Sequence, residues 1–485
     1  MQKRNSFLQN IFEAKKVHLC FHQISSAKYA IKKIETSKCK SACPIDTDVK
    51  AYLGLIAARK FDKALEIVKR DNPLPGICGR VCFHPCEAEC SRNEIDQPLA
   101  ICSLKRFLAD YEYRLAVNGE RLAVKTDNRI TEKIAIIGSG PAGLTAAYDL
   151  ARLGYKITVF EELPVAGGML YAGIPEYRLP RNIIKTEIDA IKKLGVKIKT
   201  NTRIRKLSTL QKQGYKAIFI AIGAHKGLKL GISGEDKFAC PDPFPQDSAN
   251  GGGKGFLDCI TFLRNVNLGK KVKIGKKVIV IGGGNAAIDS ARTAIRLGSQ
   301  VHIVYRRSRN EMPANKWEIK EAEKEGVKIH YLASPVKILG EKGKVVAMEC
   351  IKNKLGLPDS SGRRRPVPVE GTEFKILADT IIPAISQQPD ISWLPADHKL
   401  EISKWNSFVV DEETLATNLP GIFAGGDCVT GPKTVLEAIA AGHKAAKSID
   451  RYLSRTPNPN PRTPNMKLQL PQKRKKKEPL CPSSL

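Results

Sequence analysis

Two short stretches constrain the fold of this chain more than any other feature. Residues 133–143 read Lys-Ile-Ala-Ile-Ile-Gly-Ser-Gly-Pro-Ala-Gly, and residues 277–287 read Lys-Val-Ile-Val-Ile-Gly-Gly-Gly-Asn-Ala-Ala. Each opens with an unbroken apolar run of the kind buried on both faces of a parallel sheet. Each then turns at glycines into a helix, Leu144 to Leu153 or Ile288 to Leu297. These helices stop at Gly154 and Gly298, where a C-terminal cap favours glycine. A second strand follows in both, Lys156 to Phe160 and Gln300 to Val304. Strand, glycine turn, helix and strand make the nucleotide-binding half of a doubly wound α/β fold, and the chain carries two.

The two units differ where a nucleotide would be read. In the first, Gly138, Gly140 and Gly143 complete a GxGxxG turn, with Pro141 and Ala142 opening the helix. Such glycines permit the tight turn and close backbone approach to a pyrophosphate at the helix N-terminus. Glu161 stands 23 residues after Gly138 and closes the second strand, placed to accept from adenosine ribose hydroxyls. In the second unit, with Gly282, Gly284, Asn285 and Ala286, the same count from Gly282 reaches Tyr305. Arg306 and Arg307 follow. Arginines in place of the carboxylate remove repulsion of a 2′-phosphate and offer it bidentate donors, so this unit is expected to take NADP(H). The plainer alternative is a solvated arginine pair at a strand end. Near the C-terminus, Gly421-Ile-Phe-Ala-Gly-Gly-Asp427 precedes Gly431-Pro-Lys-Thr434 and a helix from Val435. Gly426, Asp427 and Thr434 are candidates for holding a flavin, Asp427 through a ribityl hydroxyl, with the helix start facing the developing negative charge of the ring. The expected boundaries are an FAD-binding domain in two pieces, 126–253 and 384–457, with an NADP(H)-binding domain, 254–383, inserted between them.

Of 13 cysteines, seven fall in one stretch: Cys39, Cys43, Cys78, Cys82, Cys86, Cys90 and Cys102. The others, Cys20, Cys240, Cys259, Cys350, Cys428 and Cys481, stand singly. A secreted disulfide domain would be short and without nucleotide-binding units, so a reducing compartment with soft thiolate ligation fits better. Residues 39–125 are therefore expected to form a helical iron–sulfur domain. Structural zinc is the weaker alternative, since paired CxxC knuckles are missing. One helix is expected from Asp48 to Arg70 and another from Arg106 to Leu115.

Taken together, these residues resemble the small (beta) subunit of NADPH-dependent glutamate synthase and its relatives, which include the N-terminal half of dihydropyrimidine dehydrogenase. The resemblance runs from about Cys39 to Asp450. It rests on Asn72-Pro through Cys78-Gly-Arg-Val-Cys82, Gly167-Gly-Met-Leu170, Gly173-Ile-Pro-Glu-Tyr-Arg-Leu-Pro180, and Tyr305-Arg-Arg307 with Met312-Pro313. It implies an α/β protein: a helical N-terminal Fe–S domain followed by two Rossmann-like domains, the second inserted in the first. It also implies hydride transfer from NADPH to FAD and onward passage of single electrons through one or two [4Fe-4S] clusters. That chemistry needs orientation of two rings more than a general acid, so no catalytic side chain is required. Gly168 and Arg178 match positions that lie along the FAD in this family, and Asn285 and Ala286 match positions near the NADPH pyrophosphate. One departure stands out. The family usually has a C-x2-C pair upstream of the Cys39 position, and here Ile31 and Ile34 stand there.

Composition bounds the partners. The net charge is +31, and the basic N-terminal extension (1–38) and the basic tail (458–485), expected to be disordered, account for less than half of it. A basic field favours acidic partners or phosphorylated cofactors. No aromatic-interleaved basic stripe supports nucleic-acid binding. No apolar run reaches the roughly 20 residues that span a bilayer, and the expectation is a cytoplasmic protein with no membrane association. An electron-accepting protein subunit or ferredoxin is the expected partner, with an electron-bifurcating or ferredoxin–NADP oxidoreductase subunit as the near alternative. A disulfide reductase would need a paired redox dithiol, and Cys240, Cys259 and Cys350 are isolated. A nucleotide-bound scaffold or RNA-binding protein without redox chemistry is the reading from another class.

Overall fold

A computed structural model of the chain describes residues 36–117, 130–239 and 255–455. The basic extension through residue 35, the tail from 458 onward, and Ile31 and Ile34 lie outside those residues.

The cysteine-rich segment is helical: α1 (Val49–Ala57), α2 (Phe61–Asp71), α3 (Pro75–Val81) and α4 (Ile101–Val117). The single helix expected from Asp48 to Arg70 is two, broken where Arg59 takes a left-handed φ of 55°. The break is what buries both apolar stripes. A continuous helix of that length would spread Tyr52 and Leu65 along one line, whereas folding it back packs them into one cluster with Val68 and Leu108.

The first nucleotide unit supplies β1 (Lys133–Ile137), α5 (Pro141–Arg152) and β2 (Lys156–Phe160). The chain continues through α6 (Arg181–Lys192), β3 (Lys197–Lys199) and β4 (Tyr215–Ile220). It then leaves for α7 (Cys259–Asn267) and the second unit: β5 (Lys277–Ile281), α8 (Asn285–Arg296), β6 (Gln300–Tyr305), α9 (Lys316–Lys324) and β7 (Lys328–Tyr331). An antiparallel group follows, β8 (Ala333–Glu341), β9 (Lys344–Pro358), β10 (Arg364–Pro368) and β11 (Phe374–Leu377), before β12 (Thr380–Pro383) returns to pair with β5. Finally β13 (Ile422–Ala424) rejoins the first sheet beside β4, and α10 (Val435–Arg455) packs along α5.

Two parallel sheets result, ordered β13-β4-β1-β2-β3 and β12-β5-β6-β7. In each, the strand with the glycine turn sits inside the sheet and is buried along its length after the first residue. The order reverses beside that strand, leaving a crevice at its C-terminal end. Gly154 and Gly298 take φ of 97° and 91°, the left-handed caps expected of them.

Three contacts hold the parts together. Glu187 on α6 accepts from the backbone N–H groups of Gly76 and Ile77 at the start of α3. His443 on α10 pairs with Asp149 at 2.5 Å and reaches the Asp71 carbonyl at 3.0 Å. Arg178, in the loop before α6, forms ion pairs of 2.6 Å with Asp289 on α8 and 2.7 Å with Glu318 on α9.

Candidate functional site

A cavity of about 410 Å³ opens at the C-terminal edge of β1 and β2. Gly138, Gly140, Pro141, Ala142, Glu161 and Gly168 contribute to its wall, and so do Gly426 and Asp427 from the distant C-terminal piece. The glycines divide by role. Gly138 has φ of 102°, and a Cβ there would lie 2.3 Å from the Ala221 carbonyl oxygen. A Cβ on Gly143 would fall 2.1 Å from the Gly138 carbonyl oxygen. These two serve the close packing of strand, turn and helix. Gly140 is different, with nothing within 4 Å of where its Cβ would be. Its hydrogen faces open space at the start of α5, the cradle a pyrophosphate needs. Gly168 is packed against that turn, its Cβ position 2.9 Å from Gly140 Cα.

Glu161 is buried, and its carboxylate organises the turn. It accepts from Ser139 N at 3.0 Å and from the Ser139 hydroxyl, while its other oxygen accepts from Leu163 N at 2.9 Å. Asp427 accepts from Lys433 N at 3.2 Å, and burial raises its carboxyl to about 6. Thr434 is not on the wall. Its hydroxyl donates to Glu437 at 2.8 Å and accepts from Glu437 N, a reciprocal cap for α10. Arg178 is likewise committed elsewhere, to the acids of α8 and α9 named above.

The cavity also takes walls that sequence reasoning passed over. Asp258 and the buried Arg264 come from α7 and its cap, and His225, Arg203 and Trp393 come from connecting segments. No spacing rule marks them: Asp258 and Arg264 reach the cavity from the helix that leads into the second unit, and Arg203, His225 and Trp393 from loops around the first sheet that only the closed fold brings together. Burial drives His225 down to about 4, so at neutral pH it lines the cavity as an uncharged ring. The open cradle, the buried acid at the β2 end and the length of the cavity across two chain pieces fit an FAD.

In the second unit Gly282 has φ of 142° and a Cβ position 2.3 Å from the Ala384 carbonyl oxygen. Gly284 caps α8 and, like Gly140, has open space beside it. Asn285 accepts from Asn315 N at 3.0 Å, and the Ala286 carbonyl lies 3.7 Å from the Cys259 thiol. The arginine pair splits. Arg306 is exposed, while Arg307 is buried and forms an ion pair with Asp359. Only Arg306 of the pair is free to meet a phosphate.

Of the seven clustered cysteines, six are buried and Cys39 is half-buried, and all seven are free thiols. Cys82 accepts from His84 N at 3.3 Å, the Cys102 thiol donates to the Cys78 carbonyl at 3.5 Å, and the Cys102 thiol shifts the Cys82 thiol downward. Lys105, one turn after Cys102, is buried. Burial works to discharge it, but the neighbouring Cys78, Cys82, Cys102 and Cys43 hold its ammonium charged. Among the described residues no three ligating side chains converge on a point that one ion would fill. A four-iron cluster bonds each thiolate to a different iron, so its ligands ring a volume. Buried thiols around a buried ammonium and a backbone N–H donor suit such an anionic cluster.

Comparison with known proteins agrees with this geometry. Residues 132–442 match the pyridine nucleotide-disulphide oxidoreductase family, and residues 13–117 match the family described as dihydropyrimidine dehydrogenase domain II, 4Fe-4S cluster. The NADP(+)-dependent formate dehydrogenase subunit beta of Moorella thermoacetica is 46% identical over 88% of this chain and 61% of its own length. The NADPH-Fe(3+) oxidoreductase subunit beta of Geobacter sulfurreducens is 42% identical over 86% of this chain and 64% of its own. This chain thus spans under two thirds of the length of either. The glutamate synthase [NADPH] small chain of Escherichia coli is 32% identical over 86% of this chain and 88% of its own. Among solved structures, FprA of Mycobacterium tuberculosis in complex with NADPH superposes with a TM-score of 0.54 at 19% identity, covering 67% of this chain and 85% of FprA. That likeness concerns the fold alone. No helix among the described residues is long and apolar enough to cross a membrane. With an FAD cradle, a second nucleotide unit and a thiol-rich helical domain in one chain, this protein belongs to the pyridine nucleotide-disulphide oxidoreductase family, in the branch of the NADPH-dependent glutamate synthase small chain.

Proposed function

We propose that the chain is an electron-input subunit: it oxidises NADPH and delivers the electrons, by way of FAD and the cysteine-rich domain, to a partner protein. The observation that carries this is the pair of glycine turns at two sheets packed on one another, with Met169 on the wall of the first cavity and packed against the core of the second sheet. Bound FAD supplies the conversion between two-electron and one-electron chemistry that no side chain provides. The chain's own residues do the rest. Gly140 and the first turn of α5 receive the pyrophosphate, and Glu161 receives the ribose. Asp427 anchors the ribityl end. Gly284, Asn285 and Ala286 offer the α8 N-terminus to the second pyrophosphate, with Arg306 at the 2′-phosphate.

The relatives support a fixed input and a variable output. Their names share NADP(H) and differ in the terminal reaction, which is formate, Fe(3+) or glutamate synthase. The partner of this chain is then an electron-accepting subunit or a ferredoxin, and the strongly basic composition favours an acidic one.

Anaerobic purification followed by visible spectroscopy, iron analysis and separate additions of NADPH and NADH tests the proposal. Flavin bleaching by NADPH well ahead of NADH is expected, and iron bound to the 36–117 segment. A colourless protein, or bleaching at equal rates by both coenzymes, would sink it.

A further inference from the structure

The second nucleotide unit has a neighbour that the first lacks. β9 and β10 form a hairpin whose tip runs from Asp359 to Arg363, and its sequence, Gly362-Arg-Arg-Arg365, is dense in arginine. The hairpin does not project freely. Arg307, at the end of β6, donates from Nε to the Arg364 carbonyl at 2.7 Å and pairs through Nη2 with Asp359 at 2.5 Å. The Arg307 side chain is only 4% exposed, so this is a buried fastening rather than a surface pair. A second fastening lies at the base, where the buried Asn353 side chain donates to the Arg306 carbonyl at 3.1 Å. The tip is stiffened from within. Asp359 accepts from Ser361 N at 2.9 Å and donates from its own N–H to the Arg363 carbonyl at 2.8 Å.

The hairpin is therefore pinned over the end of β6, the place where Glu161 stands in the first unit. Tyr305 occupies that place here, its phenol donating to the Glu311 carbonyl at 2.7 Å, and it feels the positive charge of Arg307, Arg363 and Arg306. Their commitments differ. Arg307 is used up by the hairpin. Arg364 turns back to the Leu355 and Gly356 carbonyls. Arg363 has one bond, from Nε to the Ser361 hydroxyl at 3.0 Å, which leaves its terminal nitrogens available. Among the described residues no carboxylate pairs with Arg306 or Arg363. The latch thus holds the hairpin tip that carries Arg363 against the strand end that carries Arg306, two positive charges whose repulsion an anion would relieve.

We propose that the hairpin is a wall of the NADPH site: Arg363 from its tip and Arg306 from the strand end grip the 2′-phosphate together, and the Arg307–Asp359 pair is the positioning device. This rests on the assignment of the second unit to NADP(H). It divides the sequence-level arginine pair into one residue that touches the phosphate and one that holds the loop carrying its partner.

Flavin reduction by NADPH and by NADH, measured by stopped flow on Arg306→Ala, Arg363→Ala, Arg363→Lys and Asp359→Asn, tests it, together with titration by 2′-phospho-AMP and by 5′-AMP. Arg363→Ala is expected to lower the NADPH-to-NADH ratio of kcat/KM by about tenfold or more, the scale of one lost charge-assisted contact. The loss should lie in KM and in 2′-phospho-AMP affinity, with 5′-AMP affinity retained. Lysine at 363 should restore part of it, and Asp359→Asn should show a smaller loss of the same kind. An equal loss with both coenzymes would mean a merely structural hairpin and overturn the proposal. So would a collapsed ratio in Arg306→Ala beside an unchanged one in Arg363→Ala. A ratio unmoved in both would overturn the NADP(H) assignment itself.

Discussion

The two nucleotide units share a backbone and differ by compensated exchanges of side chain. In the first, the turn reads Gly138-Ser139-Gly140 and the second strand ends on Glu161, whose carboxylate accepts from Ser139. In the second, the turn reads Gly282-Gly283-Gly284 and the strand ends on Tyr305. A Cβ on Gly283 would lie 2.4 Å from the Tyr305 ring, so the aromatic ring occupies the room that Ser139 uses in the first unit. The third position differs too. Gly143 has no room for a methyl group, yet Ala287 fits at the matching place, its Cβ 3.5 Å from where a Cβ on Gly282 would be. The start of the helix therefore lies closer to its glycine turn in the first unit than a methyl group tolerates, and the second unit leaves room for one. The lesson is that the GxGxxG pattern records spacing between elements, and a departure from it is legible once its neighbour is known.

The largest expected effect comes from separating the units. Arg178 is the link, buried against Asp289 and Glu318. Arg178→Met leaves Asp289 as an uncompensated buried carboxyl, because Arg292 pairs with Glu318 and Glu325 and not with Asp289. A loss of about 3–5 kcal/mol in chemical unfolding is expected, as when one partner of a buried pair is removed. Asp289→Asn in the same chain should recover part of it. Full stability in the single variant would show that the two sheets are held by their apolar contacts.

A smaller effect sharpens the contrast between the turns. Gly143→Ala forces a methyl group onto a backbone carbonyl and should cost about 1–3 kcal/mol, with loss of retained flavin. Ala287→Gly, the converse exchange, should cost about 1 kcal/mol or less. Gly140→Ala points into the open cradle, so it should weaken flavin retention while leaving the thermal stability of the flavin-free protein nearly unchanged. Equal responses at 143 and 287 would erase the spacing difference.

The subtlest effect concerns what the first unit has and the second lacks, a docked cysteine-rich domain. Burial raises the Glu187 carboxyl from 4.5 to about 7, although the N–H groups of Gly76 and Ile77 pull the other way. The folded state therefore holds this proton more tightly than the unfolded chain. The group's contribution is favourable below pH 4.5 and is lost as pH rises toward about 7. Glu187→Gln should remove that decline, a slope of at most one proton between the two pH values, in urea midpoints measured across the range. An unchanged slope would place the proton elsewhere.

Much of this was readable from residues 133–143 and 277–287 alone, because strand burial, glycine turns and helix caps are local consequences of composition and period. The cysteine stretch was readable as a thiol-rich helical region for the same reason. The break at Arg59 was not, since both halves carry helical periodicity and only burial of Tyr52 against Leu65 selects the fold-back. Thr434 opens a helix near Asp427, which makes it a ligand candidate in the sequence, and only the structure shows that its hydroxyl also caps that helix through Glu437. Arg178 was legible as special and not as a link, since its partners lie more than a hundred residues away.

What the sequence determined by itself is the number of nucleotide units, the acid that ends one and the arginines that end the other. Those follow from short-range geometry that any neighbouring residues must obey. The tertiary structure alone decided which arginine is free, what Arg178 holds, and that a hairpin from residues 344–368 stands over the end of β6. Such facts depend on buried charges finding partners across long loops, and the cost of leaving a charge unpaired in the interior acts only once the chain has closed around it.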